Sequence, residues 1–252
     1  MPRPLILLSN DDGYRAEGLR VLREALQAVG DCVVCAPERE QSGSSQSISL
    51  HRPLRLHTES ESIYAVDGTP VDSVYVALHS GRVLPRWPDL VVSGLNHGLN
   101  LGADVFYSGT VAAAREGALR GIPSLAVSAA RGTDRQAAAR TAAQIARGLL
   151  TARVQRGLLL NVNFPPGRQW PLRATRLGSR KYGDEVQFRS DPRGGEYLWI
   201  GSGQIEHETC ADTDTGAFEE GAVGVTALSL QAWCGTDHQV AEHVVTQLVR
   251  DS

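Results

Sequence analysis

Two adjacent carboxylates, Asp11 and Asp12, stand in Ser9-Asn10-Asp11-Asp12-Gly13, directly after the apolar run Leu5-Ile6-Leu7-Leu8. Neighbouring anions repel unless a cation neutralises them. Oxygen donors select Mg²⁺, Mn²⁺ or Ca²⁺ over metals that prefer sulfur. Two successive residues of a regular strand cannot face one ion, but the turn that Gly13 permits lets them. A solvated turn, with an Asp capping the next helix, is the plainer alternative. The placement after a buried strand, with Asn and Ser donors on neighbouring loops, favours the metal.

A second element is Tyr107-Ser108-Gly109-Thr110-Val111-Ala112-Ala113-Ala114. Ser-Gly-Thr before an Ala-rich helix is an anion site, because free N–H groups and the helix dipole point at whatever lies there. Ser108 and Thr110 add hydroxyls. Simple Ser or Thr capping explains the same residues and is compatible with the anion reading. A metal site and a phosphate cradle together point to phosphate-ester chemistry.

The elements that must position these residues follow from hydrophobic pattern. Pro4 to about Ser9 shows no alternation and reads as a strand buried on both faces. Leu19, Leu22, Leu26 and Val29 have helical spacing, ended by Gly30, and Cys32–Ala36 is a second strand. Thr69 and Pro70 start a helix as N-cap and first position, with Val71, Val74, Tyr75 and Leu78 on one face. Leu90–Ser93 predicts a strand opening into a Gly/Asn-rich loop over 94–102. Then come a helix from about Thr110 to Arg120, a strand Ser124–Ala129, a helix Arg135–Leu150 and a strand Leu158–Val162. This alternation predicts an α/β fold, a Rossmann-like mostly parallel sheet with helices on both faces. Ligands then bind beyond the carboxyl ends of the strands, where the loops after residues 9, 37 and 93 converge. From about Arg168 the rhythm gives way to glycines, charges and scattered aromatics, read as hairpins and loops before a last helix, about Gln239–Arg250. The expected organisation is a catalytic core, 1–167, and a segment, 168–252, of extended hairpin and C-terminal chain that completes the domain and an oligomer interface.

Length and composition bound the rest. The chain has 252 residues, 42% of them hydrophobic, with a formal net charge of −3, so neither a nucleic-acid polymer nor an anionic membrane is an expected partner. No apolar stretch reaches the roughly 18 residues that a membrane span needs. The early polar Asn10-Asp11-Asp12 argues against a signal peptide, and a cytoplasmic location is expected. Cys32 and Cys35 form C-x-x-C, yet residues three apart on a strand point to opposite faces, so two core thiols are expected rather than a redox or metal pair. Walker, dinucleotide, G-x-S-x-G and H-E-x-x-H motifs are absent. His97 alone among the seven histidines lies in a candidate loop and is expected to face water.

At these residues the sequence resembles the SurE family, the stationary-phase survival proteins, which are metal-dependent nucleotidases. The resemblance rests on Leu7-Leu8-Ser9-Asn10-Asp11-Asp12-Gly13, Ala36-Pro37-Glu38 with Gln41-Ser42-Gly43, Gly68-Thr69-Pro70-Val71-Asp72, Pro88 to Gly98 with its Ser93-Gly94-Leu95-Asn96-His97-Gly98, Asn100-Leu101-Gly102, and Tyr107 to Ala114. Asn161-Val162-Asn163 and Asp212-Thr213-Asp214 extend it weakly. It implies that Asp11, Asp12, Ser42 and Asn96 hold one divalent ion, Mg²⁺ or Mn²⁺ with Ca²⁺ also admissible. It places Ser108, Gly109 and Thr110 on the phosphate, with Asn10 and Gly43 nearby. It further implies a homodimer or homotetramer with exchanged C-terminal segments. Glu17 and Gln41 depart from residues common in the family, Pro and Arg, beside the ligands rather than on them.

The activity so implied is hydrolysis of nucleoside 5′- and 3′-monophosphates, with Asp11, Asp12 and Asn10 at the chemistry and water as the attacking group. Two rivals remain. An aspartyl-phosphate phosphotransferase is one, although haloacid-dehalogenase phosphatases place Asp-x-Asp after the first strand rather than adjacent aspartates. The other is a metal- and nucleotide-binding signalling module; receiver domains hold Mg²⁺ with similar acids in a chain half as long.

Overall fold

The computed structural model describes residues 2–152, 157–182, 186–200, 206–207, 209–232, 234 and 238–250. It opens β1 (Leu5–Ser9), α1 (Glu17–Leu26), β2 (Asp31–Pro37), β3 (Leu56–Ser60), β4 (Ile63–Val66), α2 (Pro70–His79) and β5 (Leu90–His97). A 3₁₀ turn, Gly102–Phe106, leads into α3 (Gly109–Leu119), β6 (Ser124–Ala129), α4 (Arg135–Thr151) and β7 (Leu159–Phe164). Then come β8 (Leu172–Thr175), β9 (Arg180–Lys181), β10 (Val186–Ser190), β11 (Glu196–Ile200), β12 (Glu206–His207), α5 (Asp214–Glu219), β13 (Val223–Leu228) and α6 (His238–Arg250).

One nine-stranded sheet carries the order β3-β4-β2-β1-β5-β6-β7-β13-β8. The run from β4 to β7 is parallel; β3 pairs antiparallel with β4, and β13 antiparallel with β7. Helices α1 and α4 pack together on one face, α2 and α3 on the other. The expected α/β architecture is therefore present. Parallel strands covered on both faces must be apolar throughout, and β1 is buried at all five positions. Ile6 and Leu8 belong to the core under α1 and α4, Leu5 and Leu7 to the core under α2.

The C-x-x-C follows the same rule. Cys32 joins the first core and Cys35 the second, both as free thiols. Burial raises them to about 11 and about 12, far from the thiolate that redox chemistry needs.

Local signals placed α2 closely. Thr69 accepts from the Asp72 amide, and the Asp72 side chain accepts from the Thr69 amide, a closed capping box with Pro70 at the first position. Tyr75, assigned to the buried face, is instead 39% exposed, stacked against His79 and under Arg120. Strand β5 does not stop at Ser93. It runs to His97 through a register shift against β6 between Ser93 and Asn96. Gly94 makes this possible: its φ is +133°, and a side chain there would collide with the Val127 carbonyl. The first helix ends at Leu26 rather than Gly30, in a tight turn that keeps Val29 on the core.

The tract after 168 contributes to the main sheet. β13 inserts beside β7, and β8 lies outside it, so strands from both sides of residue 167 share one sheet. Helix α5, six residues behind the Thr213 cap, is too short for hydrophobic spacing to mark it in the sequence. β10 and β11 form a separate hairpin whose Val186, Phe188, Leu198, Trp199 and Ile200 are exposed.

Candidate active site

The loops after β1, β2 and β5 meet over the N-terminus of α3. The Gln41 amide donates to the Asp11 carbonyl at 2.7 Å, and the Tyr14 amide to the Pro37 carbonyl at 2.9 Å, which ties the first two loops together. The Asn10 side-chain amide donates to the Gly13 carbonyl at 2.9 Å and closes the turn in which both aspartates sit. Asn10 is fully buried, and its Oδ1 has no partner.

Asp11 is 5% exposed. Its carboxylate accepts from the Thr110 hydroxyl and faces the Thr110 amide, so it lies at the positive end of α3. Burial still dominates, with the Asp12 charge adding to it, and Asp11 is raised to about 6. Asp12 is less buried and is raised in the same sense, by burial first; the His97 backbone amide and the charges of His97 and Arg135 oppose this.

Ser108 is the N-cap of α3. Its hydroxyl oxygen accepts from the Val111 amide at 3.1 Å, which leaves its own proton to give. Gly109 is required by what surrounds it: a Cβ there would lie 2.8 Å from the Asp11 Cβ and 2.9 Å from the Ser44 Oγ. Gly43 has φ +74° and open space around it. Asn96 donates through Nδ2 to the Gly98 carbonyl at 3.1 Å, which orients its amide.

Geometry thus brings Asp11, Gly109 and Thr110 into contact and sets Asp12 against the end of β5. Ser42 is different. It is exposed, and its hydroxyl donates to Glu40 Oε1 at 2.9 Å rather than to either aspartate. His97 is exposed, as expected.

Donor chemistry fits a hard cation. Among the described residues no group of three or more His, Cys, Asp or Glu could hold a metal; the donors offered are two carboxylates, a side-chain amide and a hydroxyl. Two adjacent carboxylates, both raised by burial, suit an oxygen-ligated ion and no sulfur or imidazole site.

Two clefts of about 440 Å³ border this centre. One runs past Glu38, Arg39, Gln41 and Arg55, the other past His97, Arg131 and Arg135. Neither is lined by Asp11 or Asp12, but each includes a residue that touches them, Gln41 in the first and His97 in the second.

A supporting layer was only faintly visible in sequence. The Asn100 side chain donates to Ser128 Oγ, its amide to Asn163 Oδ1, and its carbonyl accepts from both Asn161 and Asn163. Asp214, 1% exposed, accepts from the Gly102, Gly178 and Thr215 amides at 3.0, 2.7 and 2.9 Å. Asp104 accepts from Arg180 and Tyr182. Together they fasten the loop that leads into α3. The signal was polar residues where burial predicts apolar ones: Asn161 and Asn163 interrupt the run Leu159 to Phe164.

The family model described as Survival protein SurE matches residues 6–184. The chain is 56% identical over 251 residues to the 5′-nucleotidase SurE of Sorangium cellulosum (strain So ce56), covering 98% of this chain and 97% of the relative. It is 46% identical over 237 residues to the 5′-nucleotidase SurE of Myxococcus xanthus (strain DK1622), 92% and 89% covered. Among solved structures, a crystal structure of the SurE protein from Aquifex aeolicus superposes with a TM-score of 0.83 at 36% identity, over 96% of this chain and 99% of that one.

Proposed function

The chain belongs to the SurE family, and from that premise and the geometry above we propose that it is a 5′-nucleotidase, a phosphomonoesterase that releases phosphate from nucleoside monophosphates. The observation that carries this is the placement of Asp11: a buried carboxylate, raised to about 6, held by Thr110 at the start of α3 beside a second aspartate. Such a pair is costly to ionise unless a cation joins it.

Asp11 and Asp12 would hold that ion, with Asn96 and Ser42 as neutral ligands; Ser42 reaches it by giving up Glu40. Mg²⁺ or Mn²⁺ suits these donors, with Ca²⁺ also admissible. When bound, the ion neutralises phosphoryl charge and acidifies a water molecule. This chain's residues do the rest. Ser108 and the Gly109 amide meet the phosphoryl oxygens at the positive helix end, where charge builds in the transition state. Thr110 fixes the Asp11 carboxylate. Asn10 holds the turn, and Gly43 leaves the approach open. The clefts beside Gln41 and His97 give the nucleoside room.

Exposed apolar side chains on the β10–β11 hairpin support an oligomer, since burying them against a second copy removes them from water; we assign a homodimer, or a homotetramer built from it, with exchanged C-terminal segments. Among the described residues no helix is long and apolar enough to cross a membrane, and a cytoplasmic location is part of the same proposal.

The test is phosphate release from nucleoside 5′- and 3′-monophosphates after EDTA stripping, with Mg²⁺, Mn²⁺ or Ca²⁺ restored, for wild type and Asp12→Asn. Metal-dependent release lost in the variant supports the assignment. Release that survives stripping, or is unchanged in Asp12→Asn, refutes it.

A further inference from the structure

Ser44 belongs to none of the ligand sets above, yet its hydroxyl, like the Asn10 Oδ1, is an unpaired polar atom of the site. Its Oγ is buried and has no hydrogen-bond partner. A buried hydroxyl left unpaired costs about 1–3 kcal/mol, and such a group in a native structure calls for a partner, a bound ligand among them. The oxygen is not facing an apolar wall. It lies against Gly109, at 2.9 Å from where a Cβ would stand, and Asp11 Oδ2 is 3.1 Å from the same point. Ser44 therefore points at the first residue of α3, the start of the helix that receives the phosphoryl group.

The backbone is arranged to keep it there. The Ser44 amide donates to the Gln41 carbonyl at 3.2 Å. Its neighbour Ser45 sits at φ +52°, in the left-handed region that a residue with a side chain seldom adopts. Two bonds hold Ser45 in that state: its amide donates to the Tyr107 carbonyl at 3.1 Å, and its hydroxyl to the Phe106 carbonyl at 2.5 Å. The loop after β2 is thus clamped onto the two residues that precede Ser108, and Ser44 is turned inward against Gly109. A strained residue kept by specific bonds beside a site is a positioning device.

We propose that Ser44 is a further substrate-contacting residue, whose hydroxyl donates to a phosphoryl oxygen alongside Ser108 and the Gly109 amide. This rests on the nucleotidase reading and adds a third donor to its anion site. Ser44 is not an ion ligand in this account.

Ser44→Ala removes the hydroxyl and nothing else. Its kcat/KM for a nucleoside 5′-monophosphate should fall about 10- to 100-fold, the range for one donor to a charged oxygen. Binding of inorganic phosphate, titrated calorimetrically into the Mn²⁺-loaded protein, should weaken, while Mn²⁺ affinity should not change. The melting temperature should hold or rise, because the lost hydroxyl had no partner. Ser44→Thr, which keeps the hydroxyl, should recover most of the loss. An unchanged kcat/KM and phosphate affinity would overturn the proposal. So would a lower melting temperature in step with the activity, which would make the hydroxyl structural, or a parallel loss of Mn²⁺, which would make it a metal ligand. If the wild type turned over no nucleotide, the nucleotidase reading would fall, and phosphate titration would still judge Ser44.

Discussion

Replacing Asp11 with Asn should make the metal-free protein more stable at neutral pH while destroying its capacity to be stabilised by metal. The folded Asp11 is raised from 3.8 to about 6. A raised carboxyl contributes stability that is fully present below about pH 4 and is lost as pH climbs through about 6. Two units at 1.36 kcal/mol each amount to roughly 3 kcal/mol. The residue is 5% exposed, so solvent screening removes little of this. Asn resembles the protonated acid, keeps an oxygen for Thr110, and has no proton to lose. In EDTA, the two proteins should melt together near pH 4 and diverge above it. By pH 7.5 Asp11→Asn should lead by roughly 6–12 °C, at about 2–4 °C per kcal/mol for a domain of this size. Asp12 is raised as well and remains in both proteins, so the difference reports Asp11 and its repulsion of Asp12. Saturating Mn²⁺ should reverse the order, since ligand binding stabilises only the protein that binds it. Melting curves from pH 4 to 8, with EDTA and with Mn²⁺, decide the matter. Parallel curves in EDTA would refute the reasoning, because Asp11 would then be no harder to ionise folded than unfolded.

Three other changes have definite outcomes. Gly109→Ala places a methyl 2.8 Å from the buried Asp11 Cβ and 2.9 Å from Ser44 Oγ; overpacking of this kind costs about 1–3 kcal/mol, so activity should drop at least tenfold and the melting temperature should fall with it. Asp214→Ala strands the buried Gly102 and Thr215 amides and the half-buried Gly178 amide; at about 1–3 kcal/mol for each buried unpaired group, urea unfolding should shift strongly, whereas Asp214→Asn should lose less. Of the four cysteines, Cys210 and Cys234 are exposed while Cys32 and Cys35 are buried with raised pKa, so a thiol reagent should label two sites in the native protein and four in urea.

What could be read in advance was local. The box of Thr69 and Asp72, the apolar run of β1 and the Ala-rich α4 each announce themselves within a dozen residues. The pairing of β13 with β7 does not, because the partners lie some sixty residues apart and nothing in Val223–Leu228 names its neighbour. Asp11 and Asp12 stood out because adjacent charges after a buried strand are anomalous. Ser44 did not: in Ser42-Gly43-Ser44-Ser45 nothing separates one serine from the next. The difference arises only when Phe106 and Tyr107, sixty residues onward, take hold of Ser45. Asp214 shows the same limit, for its role is set by amides as distant as Gly102.

The placing of β13 between β7 and β8 has a consequence during synthesis. When Phe164 has been made, β7 presents an open edge, and the strand that covers it ends at Leu228, about sixty residues later. At 5–20 residues per second, a ribosome leaves that edge bare for roughly 3–12 s. β8, though made first, has no place to dock until β13 arrives. The nascent chain thus carries an unguarded edge of unpaired N–H and C=O groups through its most crowded moments, and a chaperone that shields sheet edges should bind it in that interval and release it once Leu228 has emerged.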